Sequence, residues 1–123
     1  MLIIVGRAYN NVYNASMRKN LTANEPYTLF TLPNNLRVLH VPFPTTANVL
    51  VQMNGLVGRR AELNSEIGAA HFLEHLFFDG TSKRPTSYAL STFLEHFGAE
   101  YNGITSTETV EYFVRILGEH AEG

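Results

Sequence analysis

Between Tyr27 and Leu117 the apolar residues change period twice, and this change bounds the fold more tightly than any other feature of the chain. Extended, β-rich runs come first, helical spacing follows, and extended runs return. YTLFTL and LRVLHV flank Pro33-Asn34-Asn35, which predicts a β-hairpin. ANVLVQMNGLVG, residues 47–58, predicts a third strand whose end is marked by Gly55 and Gly58. After the polar link RRAELNSE, the run IGAAHFLEHLFF predicts a helix. Asn64 or Ser65 is its expected cap, Glu66 lies in its first turn, and Asp79-Gly80 stops it. A second helix, YALSTFLEHF, takes Thr86 or Ser87 as cap and Gly98 as its C′ residue. EYNGITS and TVEYFVRIL add two strands, the second with Val110, Tyr112, Val114 and Ile116 on one face. The closing GEHAEG suits the start of a third helix. The order β-β-β-α-α-β-β predicts an α+β domain, a mixed and largely antiparallel sheet with helices packed on it.

Residues 1–24 are Asn-rich without a clean period and are expected to form a poorly ordered lead-in to a domain over 25–123. Apolar residues make up 45% of the 123 and charged residues 16%, enough for a core and against disorder. A net charge of −2 with scattered basic residues gives no footprint for nucleic acid or for a membrane surface. The apolar run Leu2 to Val5 is too short for a signal segment or a span, so a cytoplasmic location is the default expectation. There is no cysteine, and any metal would need His and carboxylate ligands.

One helix carries residues that its apolar surroundings do not explain. On a wheel advancing about 100° per residue, His71, Glu74, His75 and Phe78 share one wedge. Phe72, Leu73, Leu76 and Phe77 occupy the opposite arc, the side expected to enter the core. The i, i+4 spacing sets the two imidazoles one helical turn apart, on the order of 6 Å along the axis, so that both can converge on one Zn²⁺. Glu74, next to the second histidine, is placed to act as general base toward a water. Spacing and wheel alone leave a zinc site and a solvated surface pair both open.

H-x-x-E-H is the inverse of the zincin order, the inverzincin signature. GAAHFLEHLFFDGT resembles the active-site helix of the insulinase/pitrilysin family, which includes the mitochondrial processing peptidases. LPNNLRVLHVP resembles that family's opening hairpin, and FLEHFGAEYNGITSTETVEYFV its following helix and edge strand. The resemblance covers about residues 25–120 and implies the truncated N-terminal domain of a zinc metalloendopeptidase. It makes His71 and His75 zinc ligands and Glu74 the catalytic base. It also makes Asn102, Gly103, Ile104 and Thr105 the edge on which a peptide or protein substrate lies as an added strand. Gly103 stands where family members often have Ala, and Phe78 is expected either to line a side-chain pocket beside the metal or to pack in the core.

The family's third ligand is a Glu roughly seventy-five residues beyond the second histidine, a position past Gly123. Glu108 and Glu111 are not expected to replace it. The chain is therefore expected to have little activity alone and to need the rest of a polypeptide, or a partner subunit, to complete its site. The rival expectations are a non-catalytic peptide-binding or assembly subunit of the same family, and a structural domain with an accidental motif. His40, His96 and His120 are expected to be structural or solvated, and Glu62 and Glu66 to be solvated loop and first-turn charges.

Overall fold

The computed structural model describes residues 2–5, 18–20, 27–43 and 45–121. They form a seven-stranded sheet: β1 (Leu2–Val5), β2 (Arg18–Asn20), β3 (Thr28–Thr31), β4 (Arg37–His40), β5 (Asn48–Gly55), β6 (Glu100–Thr105) and β7 (Val110–Leu117). Two ten-residue helices, α1 (Ala69–Phe78) and α2 (Ser87–His96), lie between β5 and β6 in the chain. The spatial order is β2-β3-β4-β1-β5-β7-β6, with every pairing antiparallel except β1 with β4. The α+β class and the predominantly antiparallel sheet agree with the sequence reading. Among the described residues no helix is long and apolar enough to cross a membrane.

Two strands fall inside the expected lead-in. Leu2–Val5 enters the sheet between β4 and β5, and Arg18–Asn20 pairs with β3. These two segments pair as strands within the span read as a lead-in. The run Leu-Ile-Ile-Val, too short to signal anything alone, suits a strand once neighbours pair on both sides. The remainder of 1–24 lies outside the described residues.

The hairpin forms by local chemistry. Asn35 takes a left-handed conformation (φ 64°), Leu32 N–H donates to Leu36 O (2.8 Å), and Asn34 Oδ1 accepts the Leu36 N–H (3.1 Å). At α2, Thr86 Oγ1 accepts the Ala89 N–H (3.1 Å) as cap. Gly98 (φ 61°) closes the helix with Gly98 N–H to Glu95 O and Ala99 N–H to Leu94 O, a Schellman pair. After β7 the chain makes a short 3-10 turn, Gly118–His120, within the stretch read as suited to the start of a helix.

α1 packs on β6 and β7 and α2 on β6, so both helices cover the β6 end of the sheet. The register puts Tyr101, Gly103 and Thr105 of β6 opposite Val114, Tyr112 and Val110 of β7, and these six residues face the helices. The buried apolar residues are Phe30, Val38, Val49, Ala70 and Val110. The sequence reading placed Phe72, Leu73, Leu76 and Phe77 in the core, and this is corrected. They are 61%, 59%, 42% and 48% exposed. Ala70, Glu74 and Phe78 turn inward instead, one above another at four-residue spacing. Shape favours this line: at Gly103 the helix sits so close to β6 that a Cβ there would lie 2.7 Å from Glu74 Cγ and 3.0 Å from Phe78 Cε2.

Candidate functional site

The site begins with the loop ahead of α1. Gly58 N–H donates to Glu108 O (3.2 Å), Arg59 N–H to Ser106 O (3.2 Å) and Arg60 N–H to Thr107 O (2.8 Å), which docks the turn Arg59–Ala61 on the β6–β7 connection. Only glycine fits at residue 58, because a Cβ would sit 2.5 Å from Glu108 N. Arg60 adds an ion pair to Glu108.

This docked turn delivers Glu62 to the start of α1. Its Oε2 accepts the Gly68 N–H and its Oε1 the Ala70 N–H, both at 2.8 Å. Asn64 and Ser65, the expected caps, belong instead to a separate 3-10 turn, Asn64–Glu66. Glu62 is thus the cap, and its reading as a solvated charge is corrected. A carboxylate supplied from six and eight residues upstream satisfies two of the free N–H groups at the helix start and complements its dipole. Hydrogen bonds from Ala70 and Gly68, with the nearby Arg59 charge, hold the Glu62 carboxyl below the ordinary carboxylate range.

On the helix, His71 Nε2 and His75 Nε2 are 3.2 Å apart, with ring centroids at 4.7 Å. Two nitrogens that share one tetrahedral zinc at about 2.0–2.1 Å are separated by about 3.3 Å, and the spacing of this pair matches that separation. Glu74 turns toward the sheet, where its Oε2 accepts from Thr105 Oγ1 at 2.5 Å. The carboxylate of the residue just before His75 is thereby tied to the edge strand. Burial, and then the Glu74 charge, push the Tyr112 hydroxyl above its ordinary pKa. Among the described residues no group of three or more His, Cys, Asp or Glu side chains could hold a metal ion. Glu108 pairs with Arg60, and Glu111 accepts from Gln52 Nε2 and Thr109 Oγ1 (both 3.1 Å), so each has other partners.

The remaining sequence candidates divide by face. β6 is an edge strand of the sheet. Gly103 and Thr105 lie against Glu74, whereas Asn102 and Ile104 alternate onto the other face and are exposed. Asn102 Oδ1 accepts the neighbouring Gly103 N–H (2.9 Å). Phe78 is half-buried among Phe77, Tyr101 and Tyr112, at ring-centroid distances of 5.7, 5.9 and 6.1 Å. It also borders a cavity of about 360 Å³ with Ser87, Tyr88, Ser91 and Tyr101. A second cavity, of about 330 Å³, lies at the other end of β6 beside His71 and Thr105. Sequence reasoning missed Glu62 and Arg59. A cap reached from another turn leaves no signature at the residues that immediately precede the helix.

The model of the family described as Insulinase (Peptidase family M16) matches residues 37–123. The mitochondrial-processing peptidase subunit beta of Neurospora crassa is 42% identical over 91 residues, covering 72% of this chain and 18% of its own length. A protein of Rickettsia felis named as an uncharacterized zinc protease is 33% identical over 98 residues, covering 80% of this chain and 24% of its own length. The crystal structure of a protease from Helicobacter pylori superposes with a TM-score of 0.71 at 31% identity, over 76% of this chain and 22% of that one. The chain spans about a fifth of the length of these curated relatives.

Proposed function

The chain belongs to the insulinase family of peptidases, family M16, and from that premise we propose that it carries the zinc helix and substrate edge of a metalloendopeptidase. The observation that carries the proposal is a pair of histidines 3.2 Å apart on the helix whose Glu74 accepts a hydrogen bond from the edge strand. His71 and His75 would hold the zinc through their Nε2 atoms. Bound there, zinc supplies Lewis acidity, which polarises a carbonyl and acidifies a water.

The chain's own residues do the rest. Glu74 accepts a proton from the attacking water and delivers it to the leaving amine. Thr105 restrains the Glu74 carboxylate from the strand that also positions the substrate. The peptide adds as a strand along Asn102–Thr105, where it exchanges with Asn102 Oδ1 for the Gly103 N–H. Phe78 lines one end of that path. The third zinc ligand comes from a longer polypeptide or a partner subunit, and the 123-residue chain has little activity alone.

The test is zinc content and peptide cleavage, measured on this chain and on the longest natural polypeptide that contains it. We expect one zinc and turnover only in the longer form, with turnover removed by Glu74→Gln. Brisk cleavage by the short chain would overturn the need for a third ligand. Zinc binding without cleavage of any peptide would overturn the peptidase reading in favour of a peptide-binding subunit.

A further inference from the structure

The loop that caps α1 also leaves a cation standing beside the candidate centre. Arg60 is committed to Glu108 and Arg115 to Glu100. The Arg59 side chain is exposed and makes no hydrogen bond or ion pair among the described residues; Glu62 is its electrostatic neighbour. Its backbone, in contrast, is fixed. Arg59 N–H donates to Ser106 O, one residue past the end of β6, and the close docking of Gly58 on Glu108 leaves that turn little room to shift. Arg59 is therefore held at the Thr105 end of the edge strand.

There it borders the cavity of about 330 Å³ whose other walls are Glu62, Ile67, Gly68, His71 and Thr105. His71 and Thr105 belong to the candidate centre, so the cavity opens onto the path of a strand added beside β6. Glu62 is the acidic group in its wall, and both of its oxygens already accept hydrogen bonds from Gly68 and Ala70. Glu62 keeps its charge, but its oxygens are turned to those amides, so the hydrogen-bonding group left to meet an incoming side chain is the guanidinium, a fork that matches a carboxylate.

We infer that this cavity is a subsite for a carboxylate-bearing residue of the substrate, and that Arg59 selects it. The inference rests on the peptidase reading. A guest strand antiparallel to β6 would run with its N-terminal part toward Thr105, so the acidic residue lies N-terminal to the scissile bond. A peptide C-terminus offers the same chemistry, from a strand of the opposite direction.

The test uses the zinc-loaded protein in its longest natural form. Peptides carry Glu, Gln or Lys at each position around the scissile bond, with free or amidated C-termini. We expect kcat/KM about fivefold higher for Glu than for Gln at one N-terminal-side position, the scale of a solvent-exposed ion pair. Arg59→Ala should remove that preference, Arg59→Glu should invert it toward Lys, and amidation should change nothing. Equal cleavage of the three peptides, a wild-type preference for Lys, or a preference that survives Arg59→Ala would overturn the inference. So would sensitivity to amidation with indifference to the side chain. Anisotropy measurements on Glu74→Gln separate the two readings. If no peptide is cleaved but the Glu peptide still binds more tightly in an Arg59-dependent way, the peptidase reading fails and the subsite stands.

Discussion

The two flanks of α1 invert the usual division of labour on a surface helix. The flank with Ala70, Glu74 and Phe78 is pressed against β6 so closely that Gly103 has no room for a methyl group. The flank with Phe72 and Leu76 is open, and Leu73 and Phe77 beside it are about half exposed. An amphipathic helix ordinarily buries its apolar stripe, and each large side chain left out forgoes about 1.5–3 kcal/mol. Here the contact that positions a carboxylate prevails over the contact that would bury the most grease. The helix is oriented by shape at the sheet edge: Phe77 still stacks on Tyr112, while Phe72 and Leu76 stay exposed.

Perturbing the closed flank should have the largest effects. Glu74→Gln should lower peptide turnover by about 10²–10⁴-fold in the zinc-loaded, longest form, with zinc content unchanged. Turnover that survives the change would take the functional half out of the comparison. Gly103→Val should destabilise the chain by about 1–3 kcal/mol in urea unfolding, because the new methyls meet Glu74 and Phe78. Gly103→Ala, which asks chiefly for a shift of Glu74, should fall at the lower end of that range.

On the open flank, Phe72→Ser combined with Leu76→Ser should move the stability of this chain by no more than about 0.5 kcal/mol, while solubility rises. A loss as large as that of Gly103→Val would mean that the open flank is not open. The smallest effect concerns acid. Glu62 has a lowered pKa when folded, so its contribution is present above the unfolded carboxylate range and is lost as pH falls through the folded value. Glu62→Gln should flatten the acid limb of the stability profile there and leave its slope near neutrality unaltered.

What could be read from the sequence was what is decided locally. The hairpin at Pro33–Asn35, the Thr86 cap and the Gly98 stop each depend on residues within a turn of one another, and each formed as expected. The spacing of His71, Glu74 and His75 was legible for the same reason. The rotation of α1 was not, because it is decided by packing against a strand some thirty residues away, where Gly103 meets Glu74 and Phe78. Nor was the Glu62 cap, which works only once Gly58 has docked on the β6–β7 connection. The strand at Leu2–Val5 likewise needs partners on both sides before its four residues mean anything.

The Asn102 side chain on the Gly103 N–H changes what the edge of the sheet can discriminate. A strand arriving there exchanges one amide acceptor for another, so the backbone bond at that position adds little net affinity. Indiscriminate pairing, including pairing with another copy of the same edge, is damped at that position. Residence time then depends on what the guest's side chains find at either end of the strand. An edge built this way is permissive in what it admits and selective in what it retains.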